Sequence, residues 1–373
     1  MKHELLQEMV DQFSLEVVKP LAKIIDEEER FPSETVEKMG QYGLLGIPFP
    51  VEFGGVGADN KAYIDTVRTL SKYCATTGVI LSGHTSLCAW PIFEFGTDAQ
   101  KEKYLIKLNK GEYLGAFGLT EPSAGTDAAS QQTRAIDYGD YYEITGNKIF
   151  ITNAGYADVY VIFAMTNPEL GLKGISAFIL EKDMEGFTVG PKEKKMGIHA
   201  SSTCELIMQK VRVPKENLLG KINEGFKIAM KTLDGGRIGI AAQALGIAEG
   251  AFERVVEYVK TRKQFGRPIS AFQNTQFKIA DMKVKLTAGK LLLDQAVSDK
   301  DNNLNYTESA AMAKLFCSRV AVEVTDESMQ LMGGYGFIRD YEMERFYRDA
   351  KITEIYEGTS EVQRMVIAGK VLR

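Results

Sequence analysis

The chain has 373 residues and a formal net charge of −5. That length allows two or three domains and a sizeable core, and the charge lacks the basic excess that non-specific nucleic-acid binding needs. The four cysteines lie far apart without a CxxC, and His3, His84 and His199 stand at no metal-ligand spacing, which disfavours a disulfide framework or zinc site and predicts a reducing compartment and no metal.

Residues 1–112 read as helical. LLQEMVDQFSLEVVKPLAKIIDEE repeats apolar residues mostly at three- and four-residue steps. Its early acids fit neither a signal peptide nor a transit peptide, and no run of 18 apolar residues follows anywhere, so a cytoplasmic chain without a membrane span is expected. Ser33 is placed as the N-cap of SETVEKMGQYGLLG, with Gly40 and Gly43 marking its stop. After the glycine-rich PVEFGGVGADN, the runs AYIDTVRTLSKYC and VILSGHTSLCAWPIFEFG read as buried helices.

Residues 113–220 change character. β-Branched and aromatic residues rise, and the turn signals DYGD and TGN separate short runs. Several short strands without intervening helices predict an antiparallel sheet or small barrel. Residues 221–373 return to long helical periods, broken by the polar DNNLNY, and predict a helical bundle. The fold class is α+β in three parts: helical, β, helical.

Nucleotide fingerprints fail. GGVGAD and GGYGFI start a G-x-G-x-x-G loop without completing it, and neither lies in a βαβ unit. No GxxxxGK[ST] and no GxSxG occurs. Five other segments remain. AFGLTEPSAGTDAAS, residues 116–130, has small residues and hydroxyls suited to a flat ligand, but read locally it is first of all a turn. KIFITNAG, residues 148–155, puts Phe150 and Thr152 on one face, and read alone is a buried strand. In VKTRKQFGRPISAFQ, Lys260, Arg262, Lys263 and Arg267 either offset a helix dipole or clamp a phosphate. QLMGGYGF, residues 330–337, is a helix stop or a place where backbone meets a ligand. Finally, Ser360-x-x-Gln363 has capping-box form and starts the last helix. Glu357, just before it, is surplus to capping and is aimed by a fixed turn.

Together and in order, LTEPSAGTD, FITNAG, KMGIHASSTCEL, RKQFGRPI, MGGYGF and IYEGTSEVQR resemble the signatures of the acyl-CoA dehydrogenase family, over nearly the whole chain. LDGGRIGIAAQALGIA and RDAKITEIYEGTSEVQR look most like its short-chain, butyryl-CoA type. The resemblance implies an N-terminal helical domain, a middle antiparallel β-domain and a C-terminal four-helix bundle. It implies non-covalently bound FAD and oxidation of an acyl-CoA to the trans-2-enoyl-CoA, with electrons passed to electron-transfer flavoprotein. Carried over, Glu357 takes the α-proton while the β-hydride goes to flavin N5, and its backbone N–H helps hold the thioester oxygen. Phe117, Leu119, Thr120 and Thr126 would contact flavin and substrate edges. Phe150, Ile151 and Thr152 would line the other flavin face. Arg262, Gln273, Gln330, Leu331, Met332, Gly333 and Gly334 would reach the FAD of a neighbouring subunit, with Thr359 and Glu361 completing that half, which implies a homotetramer. Thr126, Asp234, Gly235, Gly236, Arg237 and Gly358 would face the acyl-CoA.

Two departures stand out. Some relatives carry Trp where this chain has Phe150. Others place the base on the long bundle helix just before the arginine matching Arg237, where this chain has Gly236, which leaves Glu357 as the base. The same resemblance admits an enoyl-CoA reductase, a branched, cyclic or aryl acyl group, or an oxidase. A non-catalytic flavin- or acyl-CoA-binding protein is the reading from a different class.

Overall fold

A computed structural model describes residues 2–372; the expected outer limits, residues 1 and 373, lie outside them. The N-terminal part is a cluster of helices, among them Lys2–Phe13, Ser33–Gln41, Asn60–Ser71 and Ala75–Ser82. Ser33 is the first helical residue rather than the cap; Pro32 holds the cap position without any side-chain bond. Proline suits that place because it has no N–H to leave unpaired. The apolar run after Ala75 is not uniformly α-helical. Gly83–Ala89 winds as a π-helix and every residue of it is buried. Such wider turns recur at functional sites because they re-aim side chains, and periodicity alone cannot see them.

The middle part is an eight-stranded sheet: β1 (Gly115–Gly118), β2 (Arg134–Asp137), β3 (Tyr141–Thr152), β4 (Val159–Met165), β5 (Ile175–Glu181), β6 (Phe187–Lys192), β7 (Thr203–Pro214) and β8 (Leu218–Leu219). Its order is β6-β7-β3-β2-β4-β5-β8, with β1 beside β4. The expected antiparallel pairing holds for most neighbours. The exceptions are β1 and one residue pair of β2, which run parallel to β4. The chain enters β1 from the helical cluster and reaches β4 by crossing over, and a crossover returns in the parallel sense. β4 and β5 are buried nearly throughout, as VYVIFAM and ISAFILE demand of strands covered on both faces.

The C-terminal part packs three long helices, Gly225–Thr261, Gln273–Asp301 and Thr307–Met332, with the shorter Met343–Ile352 and Ser360–Val371. The first of these is buried along most of its middle. It passes the Asn60–Ser71 helix closely because Gly246 has no side chain there. A Cβ at Gly246 would lie 2.2 Å from the Arg68 carbonyl oxygen. Polar ties join the three parts. The His84 Nδ1 accepts from the Gly115 N–H at 3.0 Å. Arg348 binds Asp26 at 2.6 Å, and the Ile198 N–H donates to Asp349. No helix among the described residues is long and apolar enough to cross a membrane.

Candidate active site

Glu357 lies in the turn between Met343–Ile352 and the last helix, at a left-handed φ of 52°. A glutamate pays about 1–2 kcal/mol of strain to adopt that conformation, and such strain gathers at functional sites. The following helix starts at Ser360 with Thr359 as its cap, whose hydroxyl accepts from the Val362 N–H at 3.4 Å. This corrects the expected register by one residue. The Ser360 hydroxyl instead turns back to the Glu354 carbonyl oxygen. Gln363 is also not a capping-box partner: its Nε2 donates to the Gly358 carbonyl oxygen at 2.8 Å, bracing the turn from within. Glu361 is exposed on the first turn of that helix and pairs with Arg364.

The Glu357 carboxylate is enclosed although the residue as a whole is only half-buried, and its Oε2 has no hydrogen-bond partner. Desolvation pushes its pKa up to about 7, against the opposing pull of Lys314 and Arg237. The carboxylate faces the long bundle helix at Gly236, where a Cβ would stand 2.1 Å from Oε2 and 2.7 Å from Leu87 Cδ2. Leu87 comes from the π-helical segment. Its neighbour Ser86 bonds the buried Tyr63 hydroxyl at 2.8 Å. Thr152 joins this side too, since a Cβ on Gly83 would meet its Cγ2 at 3.4 Å.

The other substrate candidates follow along the same helix. Asp234 Oδ1 pairs with Arg237 Nη1 at 2.5 Å, and Asp234 Oδ2 accepts from Thr307 at 2.7 Å. Arg237 Nε is buried without a partner. Desolvation raises the Asp234 pKa and lowers that of Arg237. Asp234 also walls a cavity of about 580 Å³ shared with Phe49, Trp90, Lys300 and Tyr306. Gly235 is buried beside the Lys300 amine.

The segment holding Leu119 and Thr120 is clamped from below. Lys148 is fully buried and donates to the Leu119 carbonyl oxygen at 3.2 Å, to Glu121 Oε1 at 2.7 Å and to Gln131 Oε1 at 3.0 Å. Glu121 also accepts the Gln132 and Thr133 N–H groups, and the Ile149 N–H bonds the Thr120 carbonyl oxygen. Desolvation lowers the Lys148 pKa to about 8, while Lys148 and the backbone donors overcome desolvation and keep Glu121 below its usual range. Replacing Lys148 by Met leaves Glu121 buried and uncompensated. The expected cost is about 3–5 kcal/mol, read as a lower denaturant midpoint. A variant as stable as the parent would show that this pair does not hold the segment.

Sequence reading missed this network, yet the signal was there. Tyr142, Ile144 and Lys148 share the inward face of β3, and a lysine at an inward strand position must find a partner. Just past it, a bulge sets Ile149 and Phe150 opposite Glu205 alone. Phe150 takes φ 60° and is 62% exposed, while Ile151 is buried. The bulge therefore turns Phe150 outward, instead of leaving it in a buried strand. Phe117 is half-buried and packs edge-on to Phe163 at 5.1 Å. Thr126 is exposed.

The remaining candidates lie elsewhere on the chain. Arg262, Gln330, Leu331, Met332, Gly333 and Gly334 line one cavity of about 500 Å³, with the Arg262 guanidinium 5.1 Å over the Tyr335 ring. Gln273 is the exposed first residue of the second long helix. Neither Glu357 nor Phe150 lines that cavity. Of the residues expected at a neighbouring subunit's cofactor, Gln273, Thr359 and Glu361 do not line it either, and Thr359 caps the helix that follows Glu357.

Comparison with known proteins gives matches along the whole length. The family model for the acyl-CoA dehydrogenase N-terminal domain matches residues 1–112, that for the middle domain residues 116–211, and that for the C-terminal domain residues 223–372. The chain is 58% identical to a short-chain specific acyl-CoA dehydrogenase of Clostridium acetobutylicum, over 100% of this chain and 98% of that protein. The solved butyryl-CoA dehydrogenase of Megasphaera elsdenii is 49% identical, with a TM-score of 0.98 over 100% of this chain and 98% of the other. A chain solved in work on the electron transferring flavoprotein of Acidaminococcus fermentans is 53% identical, also with a TM-score of 0.98 and the same coverage.

Proposed function

Since this chain belongs to the acyl-CoA dehydrogenase family, we propose that it is an FAD-dependent oxidoreductase converting a short-chain, butyryl-like acyl-CoA to its trans-2-enoyl-CoA. The observation that carries the reading is the Glu357 carboxylate, whose Oε2 is buried without a hydrogen-bond partner and faces the long helix at Gly236, where a side chain would collide with it. A carboxylate desolvated in this way gains basicity, and with a pKa near 7 it is substantially ionised at neutral pH. Glu357 takes the α-proton. Its own backbone N–H forms none of the backbone hydrogen bonds of the turn, so it is free to donate to the thioester oxygen as negative charge develops there. One residue thereby supplies both base and oxyanion donor.

The residues present fit FAD. Phe150 turns its ring outward at a strained bulge, beside a segment fixed by Lys148. Phe117, Leu119, Thr120, Thr126, Ile151 and Thr152 would hold the flavin with it. The chemistry FAD supplies when bound is acceptance of the β-hydrogen with its electron pair. Arg262, Gln273, Gln330–Gly334, Thr359 and Glu361 would hold the cofactor of a second copy. Arginine is suited to pyrophosphate through its planar fork, and Arg262 borders a cavity of its own. Asp234, Gly235, Arg237 and Gly358 would line the acyl-CoA path.

A site divided in this way needs an oligomer, and a homotetramer is the assembly we propose. The second long helix supports it. Phe277, Val284 and Leu291 stand exposed at seven-residue steps, a stripe that a helix partner would cover. The electron acceptor we propose is electron-transfer flavoprotein.

The test is an anaerobic titration of the purified protein with butyryl-CoA, followed in the visible spectrum. The expected result is loss of the flavin band with crotonyl-CoA formed. A band that stays would move the substrate to another acyl group, and a protein that takes up no FAD would overturn the reading.

A further inference from the structure

Lys314 sits in the middle of the Thr307–Met332 helix, a buried strip otherwise composed of residues such as Ala310, Ala313 and Cys317. Its side chain is fully buried. A lysine amine is rarely placed so unless it has a task, because removing a charge from water is costly. Its one hydrogen bond goes to the Gly358 carbonyl oxygen, at 2.7 Å. That is the residue after Glu357, and the same oxygen receives the Gln363 amide. Two donors from two helices thus converge on the carbonyl of the glycine that follows a glutamate held at positive φ. Four residues along the helix, Ser318 donates to the Thr353 carbonyl oxygen at 2.8 Å, so this helix grips the catalytic turn at both ends.

We propose that Lys314 is a positioning residue for Glu357: it pins the Glu357–Gly358 turn through the Gly358 carbonyl oxygen and places a buried positive charge beside the Glu357 carboxylate. The charges and titratable groups facing that carboxylate come from four elements. Arg237 lies on the long helix and is already paired with Asp234. Lys314 lies on the facing helix and pairs with no carboxylate at hydrogen-bond distance. Tyr63 comes from the Asn60–Ser71 helix and Tyr356 from the turn itself, both neutral because burial raises them. Glu354 and Glu361 act on Lys314 from further out. Lys314 is thus the cation not already paired with another acid. Of the two cations that oppose the upward push of burial on Glu357, Lys314 is the stronger.

This inference rests on Glu357 being the base, so the experiment includes Glu357→Gln. The pH dependence of kcat/KM would be measured for the parent, Lys314→Met and Lys314→Gln, all with FAD bound, together with their melting temperatures. Without the cation the carboxylate holds its proton to higher pH. The acid limb should therefore move up by about one pH unit or more in both variants. Lys314→Gln keeps a donor for Gly358 and should recover most of any lost melting temperature without restoring the limb. Folded, flavin-loaded variants whose acid limb stays in place would overturn the proposal. So would failure of both to fold, which would make Lys314 purely structural. A Glu357→Gln protein that still turns over would instead remove the base assignment itself, whatever the Lys314 variants do.

Discussion

Glu357→Gln should leave a folded, yellow protein that does not turn over. The amide matches the carboxylate in volume, so packing is preserved, but it cannot take a proton. General-base catalysis is worth about 10²- to 10⁴-fold, and kcat should fall by at least that range. Stability should respond with a definite sign. Glu357 has a folded-state pKa raised by burial to about 7, so its stabilising contribution is present below the unfolded carboxylate pKa and lost as pH rises through 7. Glutamine carries no such pH-dependent loss. The melting-temperature difference, variant minus parent, should thus be larger at pH 8 than at pH 5. Turnover within tenfold of the parent, measured by product formation, would sink the assignment.

Gly236→Ala tests the same geometry from the opposite side. In an exposed helix the change would stabilise by roughly 1 kcal/mol through propensity. Here the added Cβ would fall 2.1 Å from Glu357 Oε2 and 2.7 Å from Leu87 Cδ2, so the carboxylate or the helix must move. A displacement of about 1 Å at a reacting group can cost on the order of 10²-fold. The expected outcome is a protein that still folds and binds flavin, with kcat/KM lower by about 10²-fold or more. Unchanged kinetics would mean that the carboxylate does not work from the place it occupies here. The same contact bears on the absence of a base at position 236. A side chain there and the Glu357 carboxylate would compete for one volume, so the chain can place its carboxylate on one side of that space and not both.

Much of this site was legible along the chain. The helical, β and helical parts follow from apolar periods of about 3.6 and from runs of β-branched residues, and both are local properties. Glu357 stood out because its neighbours Thr359 and Ser360 could cap the helix without it. The two errors at helix starts, Ser33 and Ser360, are each one residue wide. Capping depends on backbone angles that neighbouring residues share, and residue type alone does not fix them.

What the sequence by itself determined is therefore the order of elements, the family signatures and the identity of the acid in the last turn. The tertiary structure decided what surrounds that acid. The π-helical turns that bring Leu87 to Glu357, the bulge that turns Phe150 outward and the pairing of Lys148 with Glu121, 27 residues away, all depend on segments distant in the chain. So does the Lys314 bond to Gly358, across 44 residues. The physical reason is that a carboxylate's basicity is set by what excludes water and by which charges lie within a few ångströms, and those neighbours exist only once the helices have packed.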